Sequence, residues 1–238
     1  MAQQPAMPTP DRARAVVAEL GLAVTGMVLG VAVLFVLRAL GLWPATARGI
    51  GLISGPTITG IAALFYLWAH TRLDAGQPLL SPITRVGRGQ AVLVALVATA
   101  VAIGGSMVLG VVLELLGAPV AEQQTIVEIV ADWHAGTDRT TMIVLGVSAV
   151  VLAPIAEECL FRGLLFARLR EASGRPIAYV VSAIGFAAIH GNPAGLPIYL
   201  WLGVVFALSL ERSGRLAAPI AVHMGNNAFA FAVLLLGQ

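Results

Sequence analysis

The chain has no lysine, a single cysteine and few charges of any kind. Charged residues make up 11% of its 238 positions, against about 25% in ordinary soluble domains. That shortage leaves no room for a separate water-covered domain. The lone Cys159 excludes an internal disulfide and says nothing about redox compartment. All fourteen basic residues are arginine and the net charge is only +2, so the charge balance carries no nucleic-acid signal. Two further absences bear on mechanism. There is no local HExxH pattern, the helix-borne signature of many zinc hydrolases. Nor is there a pair of matching, Gly/Pro-broken helices of the kind that marks transporters built from inverted repeats.

What the chain does have is apolar length. Hydrophobic residues are 58% of the sequence and the mean hydropathy is +0.91, the composition of an integral membrane protein. A helix needs about 20 apolar residues to cross the hydrocarbon layer, and an isolated strand cannot cross it at all. The expected fold is therefore an all-α, polytopic transmembrane helical bundle. Residues 1–10 read as a disordered tail and 11–238 as one membrane domain. Spans are expected at about Ala15 to Leu37, Gly49 to Ala69, Ala91 to Leu116, Thr140 to Phe166, Pro176 to His190, Leu196 to Leu210 and Leu216 to Leu236, which is seven. The first is too long for a secretion-signal core and is read as a retained helix. Val120 to Trp133 is too polar to cross but has a helical rhythm, and is read as an interfacial helix. Gly26 with Gly30, and Gly51 with Gly55, have the four-residue spacing that allows close helix packing in lipid. Pro56 calls for a neighbouring helix to satisfy the carbonyl that it frees.

With the amino terminus inside, alternate loops carry ten arginines on the cytoplasmic side and three outside, and the carboxyl terminus lies outside. The fourteenth arginine, Arg162, falls within the fourth span. It shares that span with only two other charged residues, Glu157 and Glu158. A charge at that depth costs roughly 2.5 kcal/mol or more, so it needs a partner. Glu158 and Arg162 have the i, i+4 spacing of a helix-face ion pair. Glu157 points about 100° away and needs a different neighbour.

Counted from the arginines that end their helices, Glu157 stands roughly 20 Å into the membrane, His190 about 22 Å, His223 about 12 Å and Asn227 about 18 Å. An acid, two imidazoles and a carboxamide thus reach one layer from three helices. A carboxylate beside an imidazole can take a proton from water. A second imidazole and a carboxamide can donate hydrogen bonds to the oxyanion of an attacked carbonyl. The alternative is a divalent metal such as zinc, held by Glu157, His190 and His223 with an open water position. Residue types and spacing leave both open. Cys159 and Phe161 read as packing residues, His70 and His134 as loop residues without a role, and Glu211 to Arg215 as a turn with a charge cluster.

Taken together, Glu157–Glu158–Cys159–Leu160–Phe161–Arg162, Phe186–Ala187–Ala188–Ile189–His190 and His223–Met224–Gly225–Asn226–Asn227 resemble the EExxxR, FxxxH and HxxxN motifs of the CPBP family. These are the CAAX-processing and bacteriocin-processing intramembrane endopeptidases. The similarity covers about Val150 to Phe231. It implies that Glu157 and His190 activate the attacking water, that His223 and Asn227 stabilise the oxyanion, and that Glu158, Arg162 and Phe186 support them without a catalytic metal or other cofactor. The implied partners are a peptide or protein substrate, which can be lipidated, and membrane lipids, with no nucleic acid. Two rivals are a non-enzymatic immunity or scaffold protein that keeps the polar cluster for binding, and a small transporter with a proton relay through Glu157 and the histidines.

Overall fold

A computed structural model describes residues 9–42, 47–73, 83, 85–120 and 124–236, and those residues form helices and their connections with no strand among them. The helices are α1 (Thr9–Ala39), α2 (Ala47–Leu73), α3 (Arg88–Leu115), α4 (Gln124–His134), α5 (Arg139–Ser173), α6 (Arg175–Ala188), α7 (Leu196–Ser213) and α8 (Ala217–Leu236). Six of them, α1, α2, α3, α5, α7 and α8, are long and apolar enough to cross a membrane. Helix α6 is apolar but shorter, at 14 residues, and stands where the fifth span was expected. The chain is an all-α, polytopic bundle. Residues 1–8 of the expected tail lie outside the described residues, and Thr9 and Pro10 already belong to α1.

Helix α1 packs along α2 because two glycines let their backbones meet. A Cβ on Gly26 would lie 2.8 Å from the Ala62 Cα, and one on Gly30 would lie 2.9 Å from the Ile58 carbonyl oxygen. Gly51 and Gly55 do not act this way, since nothing among the described residues lies within 4 Å of a Cβ at either. Four-residue spacing permits a close crossing, but only where a second helix runs over those positions. Helix α3 packs on α7 and α8, α6 packs on α7, and α5 contacts α2, α6 and α8. The motif helix thus packs against several others, with part of its surface left open.

Prolines inside α2 and α5 each leave a main-chain carbonyl without its helical donor, and in both cases another helix supplies one. Pro56 cannot donate to Leu52 four residues back, and the Ser148 hydroxyl of α5 donates to that carbonyl. Helix α5 is π-wound over Ser148–Leu152, so Ala153 N–H donates five residues back to Ser148. In that register the Ala149 carbonyl would need the N–H of Pro154, which does not exist. Asn227 of α8 fills the gap, its Nδ2 donating to Ala149 O at 2.8 Å. An unsatisfied buried carbonyl costs about 1–3 kcal/mol, so these bonds fix how α2, α5 and α8 meet. Ser148→Ala should lower the thermal unfolding midpoint in detergent. Pro56→Ala restores the missing N–H, so the same serine change in that background should have a markedly smaller effect.

A helix, α4, forms over Gln124–His134, within about the stretch expected to be interfacial. Its buried Ile129 and Val130 pack with Met142 and Leu145 at the start of α5. On the opposite side of the bundle His70 departs from the loop expectation. It lies in the last turn of α2, buried, with Nε2 donating to Glu19 Oε2 at 2.9 Å. The Tyr66 hydroxyl donates to the same oxygen, and Arg168 Nε is 3.6 Å from Glu19 Oε1. This group ties α1 and α2 to the end of α5. Glu211, at the end of α7, likewise gathers Arg170 Nε (3.0 Å), Arg175 Nε (2.6 Å) and the Tyr179 hydroxyl (2.8 Å).

Candidate active site

The centre of the site is an ion pair with no access to solvent. Glu158 and Arg162 are both 0% exposed, and Arg162 Nη1 donates to Glu158 Oε1 at 3.0 Å, as their spacing predicts. The second arm of the guanidinium, Nη2, donates to the Gly203 carbonyl of α7 at 3.1 Å. Gly203 can offer that carbonyl because α7 passes close to α6: a Cβ there would lie 2.9 Å from the Ala183 Cα. The guanidinium carbon sits 4.3 Å from the Phe186 ring centre and 5.2 Å from that of Phe206. Cation–π contact of this kind partly replaces lost hydration.

The same carboxylate oxygen reaches the third motif. His223 Nδ1 of α8 donates to Glu158 Oε1 at 2.9 Å, so Glu158 bridges Arg162 and His223. His223 is further framed by Phe206, stacked at 4.6 Å, and Phe186, edge-on at 5.6 Å. With Nδ1 committed, the ring presents Nε2 as its working edge.

His190 lies just past the last residue of α6 rather than inside it. Its Nδ1 donates to the Phe186 carbonyl at 2.9 Å, which leaves Nε2 in the neutral ring with its lone pair unspent. Phe186 is therefore shared: its carbonyl orients His190, and its fully buried ring touches Arg162, His190 and His223. Glu157 is 8% exposed, and its Oε2 has no hydrogen-bond partner among the described residues. The charged or titratable groups around it are His223, Glu158 and Arg162. Asn227 meets the π-wound turn rather than the Glu158 and His223 pair. Its Oδ1 accepts from Asn226 Nδ2 at 3.3 Å, and one hydrogen of its Nδ2 is spent on Ala149. The other remains for a ligand.

The second π-wound stretch, Cys159–Phe166, follows directly after the two glutamates. Widened turns of this kind recur at functional sites because they redirect side chains out of α register. The described residues include no group of three His, Cys, Asp or Glu side chains placed to hold a metal ion. Glu157, His190 and His223 are not grouped in that way among the described residues.

Comparison with known proteins adds the decisive observation: residues 139–229 match the family model of type II CAAX prenyl endopeptidase, Rce1-like. These residues form an Rce1-like region. The chain is also similar to curated proteins over about a third of its length. It is 35% identical over 92 residues to the membrane-embedded CAAX protease MroQ of Staphylococcus aureus, covering 36% of this chain and 37% of that protein. It is 32% identical over 79 residues to the putative membrane peptidase YdiL of Bacillus subtilis, covering 33% of this chain and 32% of that protein. The chain thus spans about a third of the length of these relatives. No solved structure matches it.

Within the Rce1-like region, residues outside the three motifs complete the site. Tyr199, Gly203 and Phe206 of α7 contact His190, Arg162 and His223 respectively. They recur at i, i+4 and i+7, the spacing of one helix face, and that stripe was the available sign of an inward-facing surface. On the other side of α5 lies an apolar groove of about 610 Å³, where Ile155, Ala156, Cys159 and Gly163 face Pro56 and Gly60 of α2. Its one hydroxyl, that of Thr57, is already donated to Ile53 O. Cys159, a free thiol of intermediate burial, lines this groove.

Proposed function

We propose that the chain is an intramembrane endopeptidase that hydrolyses a peptide bond of a membrane-associated protein or peptide. Glu157 and His190 take the proton of the attacking water. His190 is suited to this because the Phe186 carbonyl holds Nδ1 and leaves Nε2 as the basic nitrogen. His223 and Asn227 donate to the oxyanion. Glu158 holds His223 by Nδ1, so Nε2 can donate when the ring carries both protons, and Asn227 has one amide hydrogen left over. Arg162 balances Glu158, and Phe186 keeps the three polar groups in register. In this reading the arginine-rich ends of the spans face the cytoplasm.

The observation that carries the proposal is the buried Glu157 carboxylate oxygen that no group among the described residues satisfies, set among Glu158, Arg162 and His223. A purely structural acid at that depth would be paired through at least one oxygen, as Glu158 is through Oε1 with Arg162 and His223. The direct test is purified protein in lipid nanodiscs against a panel of unmodified and lipidated peptides. Hydrolysis that persists in chelator is expected. Loss of the rate in chelator would indicate a metal enzyme, and no cleavage of any peptide would remove the endopeptidase reading.

The apolar groove gives a hydrocarbon chain attached to the substrate a place to lie, since its lining is apolar apart from Thr57, whose proton goes to Ile53 O, and the weakly polar Cys159 thiol. Nothing among the described residues lies within 4 Å of a Cβ on Gly60, which lines the groove, so the Gly60→Phe side chain has open space at its base. It should lower kcat/KM for lipidated peptides by about 10-fold while leaving unmodified peptides little changed. Equal effects on both would show that the groove does not receive the chain.

A further inference from the structure

His190 is poorly held by its own backbone. It follows the end of α6 at Ala188, its N–H donates to Ala187 O at 3.3 Å, and the next residue, Gly191, turns the chain with φ +60° and an N–H bond of 3.4 Å to Ala188 O. These are long, terminal bonds. The ring itself is held by three contacts: the Phe186 carbonyl on Nδ1, the Phe186 ring edge at 4.8 Å, and the Tyr199 ring stacked face to face at 4.0 Å and 25°.

The segment between the two aromatic contacts is shaped to seat Tyr199. Asn192 Oδ1 accepts from Gly195 N–H at 3.2 Å, and Tyr199 N–H donates to Gly195 O at 3.0 Å, the first turn of α7. A Cβ on Gly195 would lie 2.6 Å from the Tyr199 ring, so only glycine leaves that seat clear. Tyr199 is half-buried, on the rim of the core rather than in its middle. Its stacked face closes one side of the imidazole, and Phe186 closes another. The titratable and charged groups facing His190 from the other helices are Arg162 of α5 and His223 of α8; neither has a hydrogen bond to its ring among the described residues.

We propose that Tyr199 is a positioning residue that clamps the His190 ring so that Nδ1 stays on the Phe186 carbonyl and Nε2 stays directed at the reacting water. The inference rests on the endopeptidase reading for its kinetic consequence, but not for its structural one. The aromatic face is what holds the imidazole, so Tyr199→Phe should keep the His190 tautomer. Tyr199→Leu keeps bulk and loses the face. Misplacement of a catalytic group by a fraction of an ångström is enough to reduce turnover, and Tyr199→Leu should lower kcat by about 10-fold with KM little changed.

The experiment uses the full chain in nanodiscs with ¹⁵N-labelled histidine, the His190 signal being identified by its loss in His190→Gln. The wild type and Tyr199→Phe should each show a single His190 tautomer protonated at Nδ1. Tyr199→Leu should show a mixture of tautomers, together with the fall in kcat. A single Nδ1–H tautomer in Tyr199→Leu would overturn the proposal, as would Tyr199→Phe being as impaired as Tyr199→Leu in ring signal. If the wild type cleaves no peptide, the hydrolase reading fails while the tautomer comparison still decides the clamp.

Discussion

Replacing Glu157 by Gln is expected to lower kcat by roughly 10²–10⁴-fold on every peptide that the wild type cleaves, the range attributed to a positioned general base. The change keeps the size of the side chain and removes only its capacity to take a proton. Folding should not suffer, because Glu157 has no salt bridge or hydrogen bond on Oε2 to lose, and a buried unpaired carboxylate is itself a burden on the fold. The expected pattern is therefore an unfolding midpoint equal to or above that of the wild type, with turnover nearly gone. A scaffold or immunity protein predicts the opposite, since a charge-free isostere would still occupy the same space and leave the cellular effect intact. A proton relay would lose substrate-driven proton flux in vesicles, which the endopeptidase reading does not require.

The second large effect concerns stability. Arg162→Met should destabilise the protein by about 3–5 kcal/mol, the usual consequence of removing one member of a buried ion pair. Glu158 is fully buried and, among the described residues, keeps only His223 as a partner once the guanidinium is gone. The arginine also links α5 to α7 through the Gly203 carbonyl, which would be left without its donor. Adding Glu158→Gln to Arg162→Met removes the stranded charge, so the double variant should be more stable than Arg162→Met alone. Denaturation in mixed micelles gives both values, and strict additivity would mean that the pair is not coupled. The double variant should remain poorly active, because His223 no longer has a carboxylate to hold Nδ1.

The bundle and the motif helices were legible because lipid imposes a simple rule: an apolar run of sufficient length must close its hydrogen bonds within itself. The Glu158 and Arg162 pair could be read for a similar reason, since two charges four residues apart in an apolar helix have few other solutions. Pro56 also announced that some neighbour must serve Leu52, and Ser148 does so. The identity of that neighbour was hidden, because it depends on which helices cross. Gly51 and Gly55 failed on the same point: their spacing is suitable, but no helix backbone among the described residues approaches them.

Other features depended on contacts between segments far apart in the chain. Nothing local distinguishes Glu158 from Glu157 as the partner of His223, 65 residues away. Asn227 reads as an oxyanion donor from its residue type, whereas its bond to Ala149 follows from a π-wound register that sequence periodicity does not reveal. Glu19, Tyr66 and His70 form a buried group out of one residue in an apolar run and two near a helix end. Tyr199, Gly203 and Phe206 were one further inference away, as an i, i+4, i+7 stripe on α7.

The central claim is that residues from α5, α8 and the end of α6 act on one peptide bond. The most direct measurement is an experimental structure of Glu157→Gln, at a resolution that shows ordered water, with an uncleaved peptide bound. The account predicts the scissile carbonyl oxygen within hydrogen-bond distance of His223 Nε2 and Asn227 Nδ2, and a water between the residue-157 side chain and His190 Nε2. A peptide bound elsewhere on the bundle, or a residue-157 side chain turned out into lipid, would contradict it.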